Sequence, residues 1–221
     1  MPFAGDLAGW TQDLILMIPA ILIAVTFHEV AHGWIADRLG DPTARLAGRL
    51  TLNPLPHIDP IGALMFVVAR FGWAKPVPVN PFNLRHPIRD MMWVAAAGPV
   101  ANLVLASASL LVGEVLISLL RGPELSFIAQ PLVGMLRWTY RINLSLAAFN
   151  LIPIPPLDGS LILKRFLPTS ALAQFEKLEP YGFLLLVVFL MSGVAPVVLG
   201  PLVSVLQLVA ELPARAIERL I

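Results

Sequence analysis

The chain predicts an all-α polytopic membrane protein with about five transmembrane helices, a re-entrant segment and a small membrane-associated β-ribbon. Three observations point there. Of its 221 residues, 57% are hydrophobic and 13% charged, and the mean hydropathy is +0.81; a soluble domain carries about a quarter charged residues. Several apolar runs reach the about 20 helical residues that cross a hydrocarbon core of about 30 Å. The segment after the first of these runs alternates polar with apolar residues and is rich in proline, which is a strand-like pattern. All of residues 1–221 form one expected domain.

The helices follow in order. Residues 13–39 supply the first, closed by Gly40-Asp41-Pro42. Residues 91–120 supply a second, closed by Arg121-Gly122-Pro123, and 131–152 a third, which Pro153, Pro155 and Pro156 bring to an end. After a polar stretch from Lys164 to Pro180, residues 181–199 and 201–212 give two more, the last one short. Trp10, Trp93 and Trp138 fall near helix starts, where amphipathic rings favour the membrane interface. Residues 1–13 lack a basic n-region and a small-residue cleavage site, so the first helix is expected to stay in the membrane.

Residues 40–90 are different. Gly48 to Pro54 alternates as a short strand does. Lys75 to Pro81 is extended as well, because each proline biases the residue before it away from helix. Between them Ile61 to Val68 is apolar but too short for a span, and is expected to re-enter. If residues 38–90 stay on one side and the chain then crosses four more times, that side holds Arg38, Arg45, Arg49, Arg70, Lys75, Arg85, Arg89, Lys164, Arg165, Lys177, Arg215 and Arg219. The other holds Arg121, Arg137 and Arg141. Twelve against three places the first side in the cytoplasm. The expectation is a multi-pass protein of a prokaryotic plasma membrane, with membrane lipids around it. A net charge of +1 argues against a nucleic-acid partner.

The chemistry lies in His28-Glu29-Val30-Ala31-His32, inside an apolar run. On a helix His28 and His32 are one turn apart on one face, as two zinc ligands require, and Glu29 projects beside them, where it can take a proton from water at the metal. Ionisable side chains at membrane depth are costly unless they do something. The chain has no cysteine, so thiolate ligands are excluded. A third ligand must come from elsewhere. His57 and His86 are in the loop region, where polar residues are ordinary and His57 with Asp59 is expected to form a solvated pair. Asp158, in Asn150-Leu-Ile-Pro-Ile-Pro-Pro-Leu-Asp158-Gly159, is the better candidate, since counting back along a helix puts it at about the depth of the histidines. An ordinary Asp-Gly turn is the plainer alternative. In Ala95-Ala96-Ala97-Gly98-Pro99-Val100-Ala101-Asn102, small residues suit close helix packing, and Asn102 is an amide at depth that wants a partner, the site being one candidate. Glu114 is expected near the outer interface, without a role.

HEVAH in one membrane helix, AGPVAN in the next and NLIPIPPLDG in a third together resemble the site-2 protease family of intramembrane zinc metalloproteases. The resemblance is to a short form, expected without a PDZ insertion or a C-terminal regulatory domain. It implies one Zn²⁺ per chain held by His28, His32 and Asp158, with Glu29 as general base. It also implies Asn150 as the polar residue that orients substrate or stabilises the oxyanion, a role Asn102 would share. Leu50, Thr51, Leu52 and Asn53, with Val77 and Val79, resemble the β region through which that family engages substrate. The implied activity is hydrolysis of peptide bonds within or near transmembrane segments of other proteins, as in regulated intramembrane proteolysis. A metal-ion or proton transporter using the same cluster is the alternative, though the chain lacks the paired repeats common in transporters.

Overall fold

The computed structural model describes residues 7–69, 72–120 and 126–218. They form nine helices: α1 (Leu7–Leu39), α2 (Thr43–Leu46), α3 (Pro60–Ala69), α4 (Pro87–Leu119), α5 (Ser126–Asn150), α6 (Asp158–Lys164), α7 (Thr169–Leu178), α8 (Gly182–Met191) and α9 (Ala195–Glu218). Helix α4 is the hub, packed on α1, α5, α6 and α9. Relative directions follow from the contacts. Ala24 meets Asn102 and His32 meets Val94, so α1 and α4 are antiparallel. Along α9, Leu199 packs beside Ile152, Ala210 beside Ala106 and Leu144, and Glu211 on Tyr140. Helix α9 therefore runs with α4 and against α5. Arg215 then lies at the same end as Leu119, opposite residues 40–86, which corrects its expected place beside them. With Arg215 moved, the basic residues among those described divide nine to three, so the sign of the bias holds.

Among the described residues three helices are long and apolar enough to cross a membrane: Ile15–Leu39, Pro87–Leu119 and Ala195–Ala216. Of the predicted spans, 181–199 is not one helix, and 201–212 lies within the longer span Ala195–Ala216. Helix α8 has ten residues, about 15 Å, and the break falls at Ser192–Val194, where Gly193 has φ +74° and the Ser192 hydroxyl accepts from the Val194 N–H. Helix α9 then runs straight through Gly200-Pro201. Pro19, Pro99, Pro131 and Pro213 likewise sit inside helices. In an apolar medium the chain has no water to bond instead, so a proline costs one helical bond without ending the helix.

The β-ribbon is also absent among the described residues; what remains is one antiparallel bridge, Ile58 with Ala74. Leu50 to Asn53 is irregular because its polar side chains bond locally: the Thr51 hydroxyl accepts from Asn53 N–H, and the Asn53 carbonyl oxygen from Leu55 N–H. Such bonds compete with a sheet ladder. Helix α3, ten residues long, is too short to span, as expected for a re-entrant segment. Asp59 caps it by accepting from Ile61 and Gly62, and its Ile61, Leu64 and Val68 are exposed.

Candidate metal centre

His28 and His32 stand one turn apart on α1, and Asp158 is the first residue of α6. Prolines 153, 155 and 156 end α5 and let the chain turn; Leu157 precedes the new helix with extended backbone. Gly159 is required there, since a Cβ would come 2.3 Å from the Leu151 carbonyl oxygen and 2.5 Å from that of Ile152. Asp-Gly is thus a packing requirement at a ligand rather than a plain turn.

His28 Nε2 is 3.0 Å from His32 Nε2, and Asp158 Oδ2 lies 3.3 and 3.4 Å from them. The three side chains are 8, 12 and 14% exposed. Hydrogen bonds fix which lone pairs face inward. His32 Nδ1 is 2.7 Å from the Val94 carbonyl oxygen, which only accepts, so in the neutral, metal-binding ring Nδ1 carries the hydrogen and Nε2 a lone pair. Asn102 spends both amide hydrogens, on the Ala24 carbonyl at 3.1 Å and on Asn143 Oδ1 at 2.8 Å. Its Oδ1, 2.6 Å from His28 Nδ1, therefore accepts, and His28 Nε2 is a lone pair too. Asp158 Oδ2 is buried without a hydrogen bond.

Three electron-rich atoms thus converge in a nearly dry space, which is unfavourable unless a cation sits among them. Donors about 2.0–2.1 Å from a tetrahedral zinc stand roughly 3.3–3.4 Å apart. The observed triangle fits a metal held by three ligands with a fourth position open.

Glu29 stays out of that triangle. Its Oε2 accepts from the Val77 N–H at 2.8 Å. Val77 and Leu50 close over α1 one residue past His32: a Cβ at Gly33 would meet Leu50 Cδ2 at 2.7 Å and Val77 Cγ1 at 2.9 Å. Leu52 is exposed, Val79 half-buried, and the Thr51 carbonyl accepts from His57 Nε2. Asn150 donates back to the Leu146 carbonyl rather than to a ligand. Asn102 has no amide hydrogen left for a substrate oxyanion, so the substrate contact expected of it gives way to holding His28. His57 is not solvated: it is 1% exposed, buried in the loop.

Three residues of the site went unread in the sequence. Gly98 lies against both histidines; a Cβ there would be 2.5 Å from His28 Cε1 and His32 Nε2. The small-residue stretch of α4 thus admits the ligands and not only a neighbouring helix. Asn143 is wholly buried and completes the amide chain through Thr139, whose carbonyl accepts from its Nδ2. An amide in the middle of an apolar stretch of α5 was the available signal. Asp41, also wholly buried, accepts from Thr43 N–H and hydroxyl, Asn80 N–H and Asn83 Nδ2. Burial pushes its carboxyl up, but the donors, led by the Thr43 hydroxyl and the Asn83 amide, hold it below the usual carboxylate value.

The sequence has relatives. The model of peptidase family M50 matches residues 115–193. A Bacillus subtilis protein named zinc metalloprotease YwhC is 36% identical over 191 residues, 85% of each chain. A Mycolicibacterium smegmatis protein named zinc metalloprotease Rip2 is 31% identical over 182 residues, 80% of this chain and 67% of that one. Its Mycobacterium tuberculosis namesake is 26% identical over 184 residues. No solved structure matches the chain.

Proposed function

This chain belongs to peptidase family M50, the site-2 protease family of zinc metalloproteases, and from that premise we propose that it cuts other membrane proteins within or beside their transmembrane segments. The observation that carries the proposal is the placement of the metal triangle. His28 and His32 lie within the apolar span Ile15–Leu39, and Gly98 of the span Pro87–Leu119 backs them. A protease with its ligands at that depth meets peptide bonds that are themselves in the membrane. The transporter alternative is not favoured by relatives named metalloproteases.

His28, His32 and Asp158 would hold the zinc, which when bound supplies Lewis acidity toward water and the scissile carbonyl. Glu29 would take the proton from the attacking water and pass it to the leaving amine. Asn150, at the end of α5 where the chain unwinds toward Asp158, would donate to the developing oxyanion. Helix α5 would cross the membrane beside α4 despite Arg137 and Arg141. The nine-to-three charge bias among the described residues supports a cytoplasmic position for residues 40–86 and a site opening to that side, where water is available. Bacterial relatives support a prokaryotic plasma membrane.

An already extended peptide would need no unwinding, whereas a helical one must be drawn out, because each of its carbonyls is bonded within the helix. Leu50 and Val77 beside the motif helix, with Val79, are the surfaces for that. Glu29→Gln should retain one zinc per chain and lose cleavage of a model transmembrane peptide, whereas Asp158→Ala should lose both. Cleavage retained by Glu29→Gln would remove the general-base role. Full zinc occupancy in Asp158→Ala would remove Asp158 from the ligand set.

A further inference from the structure

We propose that the main-chain N–H of Val77 is a positioning group for Glu29, and that residues 75–80 form a fixed strap whose purpose is to present it. The inference rests on Glu29 being the general base.

A carboxylate one residue from a metal ligand has two competing fates. It can swing onto the cation as a fourth ligand, which closes the open position, or stand off and act on water. Glu29 stands off, and the group that holds it is the Val77 N–H at 2.8 Å. With Oε2 engaged there, Oε1 is the oxygen left to receive a proton. Pro76 and Pro78 lack N–H groups, so between Lys75 and Val79 only Val77 carries one. Its side chain is 8% exposed, wedged over Gly33, so the N–H cannot rotate away without unpacking the valine.

The strap is clamped at both ends. At its start the Lys75 N–H donates to the His57 carbonyl at 2.9 Å, and the Lys75 carbonyl accepts from Arg49 Nη2 at 2.7 Å. At its end the Asn80 N–H donates to Asp41 Oδ2 at 2.6 Å, and Asn83 Nδ2 to Asp41 Oδ1 at 2.8 Å. A lid that merely shut the site would be hinged at one end. A clamp on each side of the contact suits a permanent part of the catalytic apparatus, and it gives wholly buried Asp41, remote from the metal, a reason for its four donors.

The test compares the native protein with Val77→Pro and with an ester-backbone variant carrying the hydroxy-acid analogue of valine at 77, which removes the N–H and keeps the valine side chain. Loss of one hydrogen bond to a charged group predicts a fall of about ten- to hundred-fold in kcat for cleavage of a model transmembrane peptide in both variants, with KM within about two-fold and one zinc per chain retained. Should Val77→Pro lose zinc through misfolding, the ester variant decides by the same criteria. An unchanged kcat, a raised kcat, or a loss confined to KM would overturn the proposal; the second would make the contact inhibitory and the third would make it a substrate contact. Hydrogen exchange separates this outcome from failure of the Glu29 reading. The Val77 amide should exchange faster in Glu29→Ala than in the native protein, and unchanged exchange would deny the contact whatever the activities are.

Discussion

Asn102→Leu should weaken zinc binding about 10- to 100-fold, and the structure sets both the size and the ranking of related variants. Asn102 is wholly buried and accepts the His28 Nδ1–H at 2.6 Å while donating to Asn143 and Ala24. Leucine has the same branched skeleton, a larger volume and none of those bonds. The imidazole then loses the acceptor that keeps its hydrogen on Nδ1 and its lone pair toward the metal. Loss of such an outer partner costs a metal site about 10- to 100-fold in affinity, or about 1.4–2.7 kcal/mol. Two buried groups, His28 Nδ1–H and Asn143 Oδ1, are also left unpaired, at about 1–3 kcal/mol each in fold stability. Asn143→Leu is milder, because Asn102 Oδ1 still faces His28; losing one neutral hydrogen bond is worth about 1 kcal/mol, about five-fold. Asn102→Asp keeps an acceptor for His28 and should hold zinc better than Asn102→Leu while folding less stably. The assay is competition for zinc against a chromophoric chelator at fixed pH in detergent. Native affinity in Asn102→Leu, or a greater loss in Asn143→Leu, would refute the assignment of His28 Nε2 as the lone pair facing the site.

Gly98→Ala should abolish zinc binding, because its methyl would stand 2.5 Å from both histidine rings, while Gly113→Ala, with nothing within 4 Å, should bind zinc normally; metal analysis of both purified proteins checks this. Asp41 adds a pH dependence with a definite sign. Its carboxyl is held below the ordinary value in the folded chain, so its contribution is complete above the unfolded value of about 3.9 and is lost as pH falls through the folded value. Asp41→Asn should therefore lower the thermal midpoint at pH 7, and the gap from the native protein should narrow only below about pH 4. Single cysteines, free of background in a chain that has none, should label from opposite faces when placed at the exposed Leu46 and at Arg215. Labelling from one face would mean that α9 runs against α4.

What the sequence showed of the fold followed the strength of its constraint. The first two long helices were legible because runs such as Leu14–Phe27 leave lipid or core as the only options. The break between α8 and α9 was not, because Gly200-Pro201 looks like a stop signal by the rules of water-soluble helices, and those rules weaken where no water competes for the backbone. Ser192-Gly193 is an ordinary dipeptide that became a turn through a positive φ and a serine bond visible only in three dimensions. The expected ribbon failed for a similar reason. Polar–apolar alternation at Gly48–Pro54 describes a chain lying over a helix as well as it describes a strand, and Thr51 and Asn53 prefer their own neighbours.

The site divides along another line. His28, His32 and Asp158 were legible because each is a side chain that lipid would reject, so depth alone made them conspicuous. Gly98 is invisible by that criterion: it contributes an absence, the missing methyl that lets two imidazoles lie against α4. Asn102 was conspicuous as an amide at depth, but its direction was not, and direction decides its role. Pointed at the substrate side it would be an oxyanion donor. In the fold both its hydrogens go to protein acceptors and its oxygen to His28, which makes it the group that chooses the tautomer of a ligand. Residue type and depth can nominate a membrane active site. The hydrogen count on each buried amide is what separates the atoms that hold the metal from those that hold the ligands, and that count becomes available only when the helices are packed.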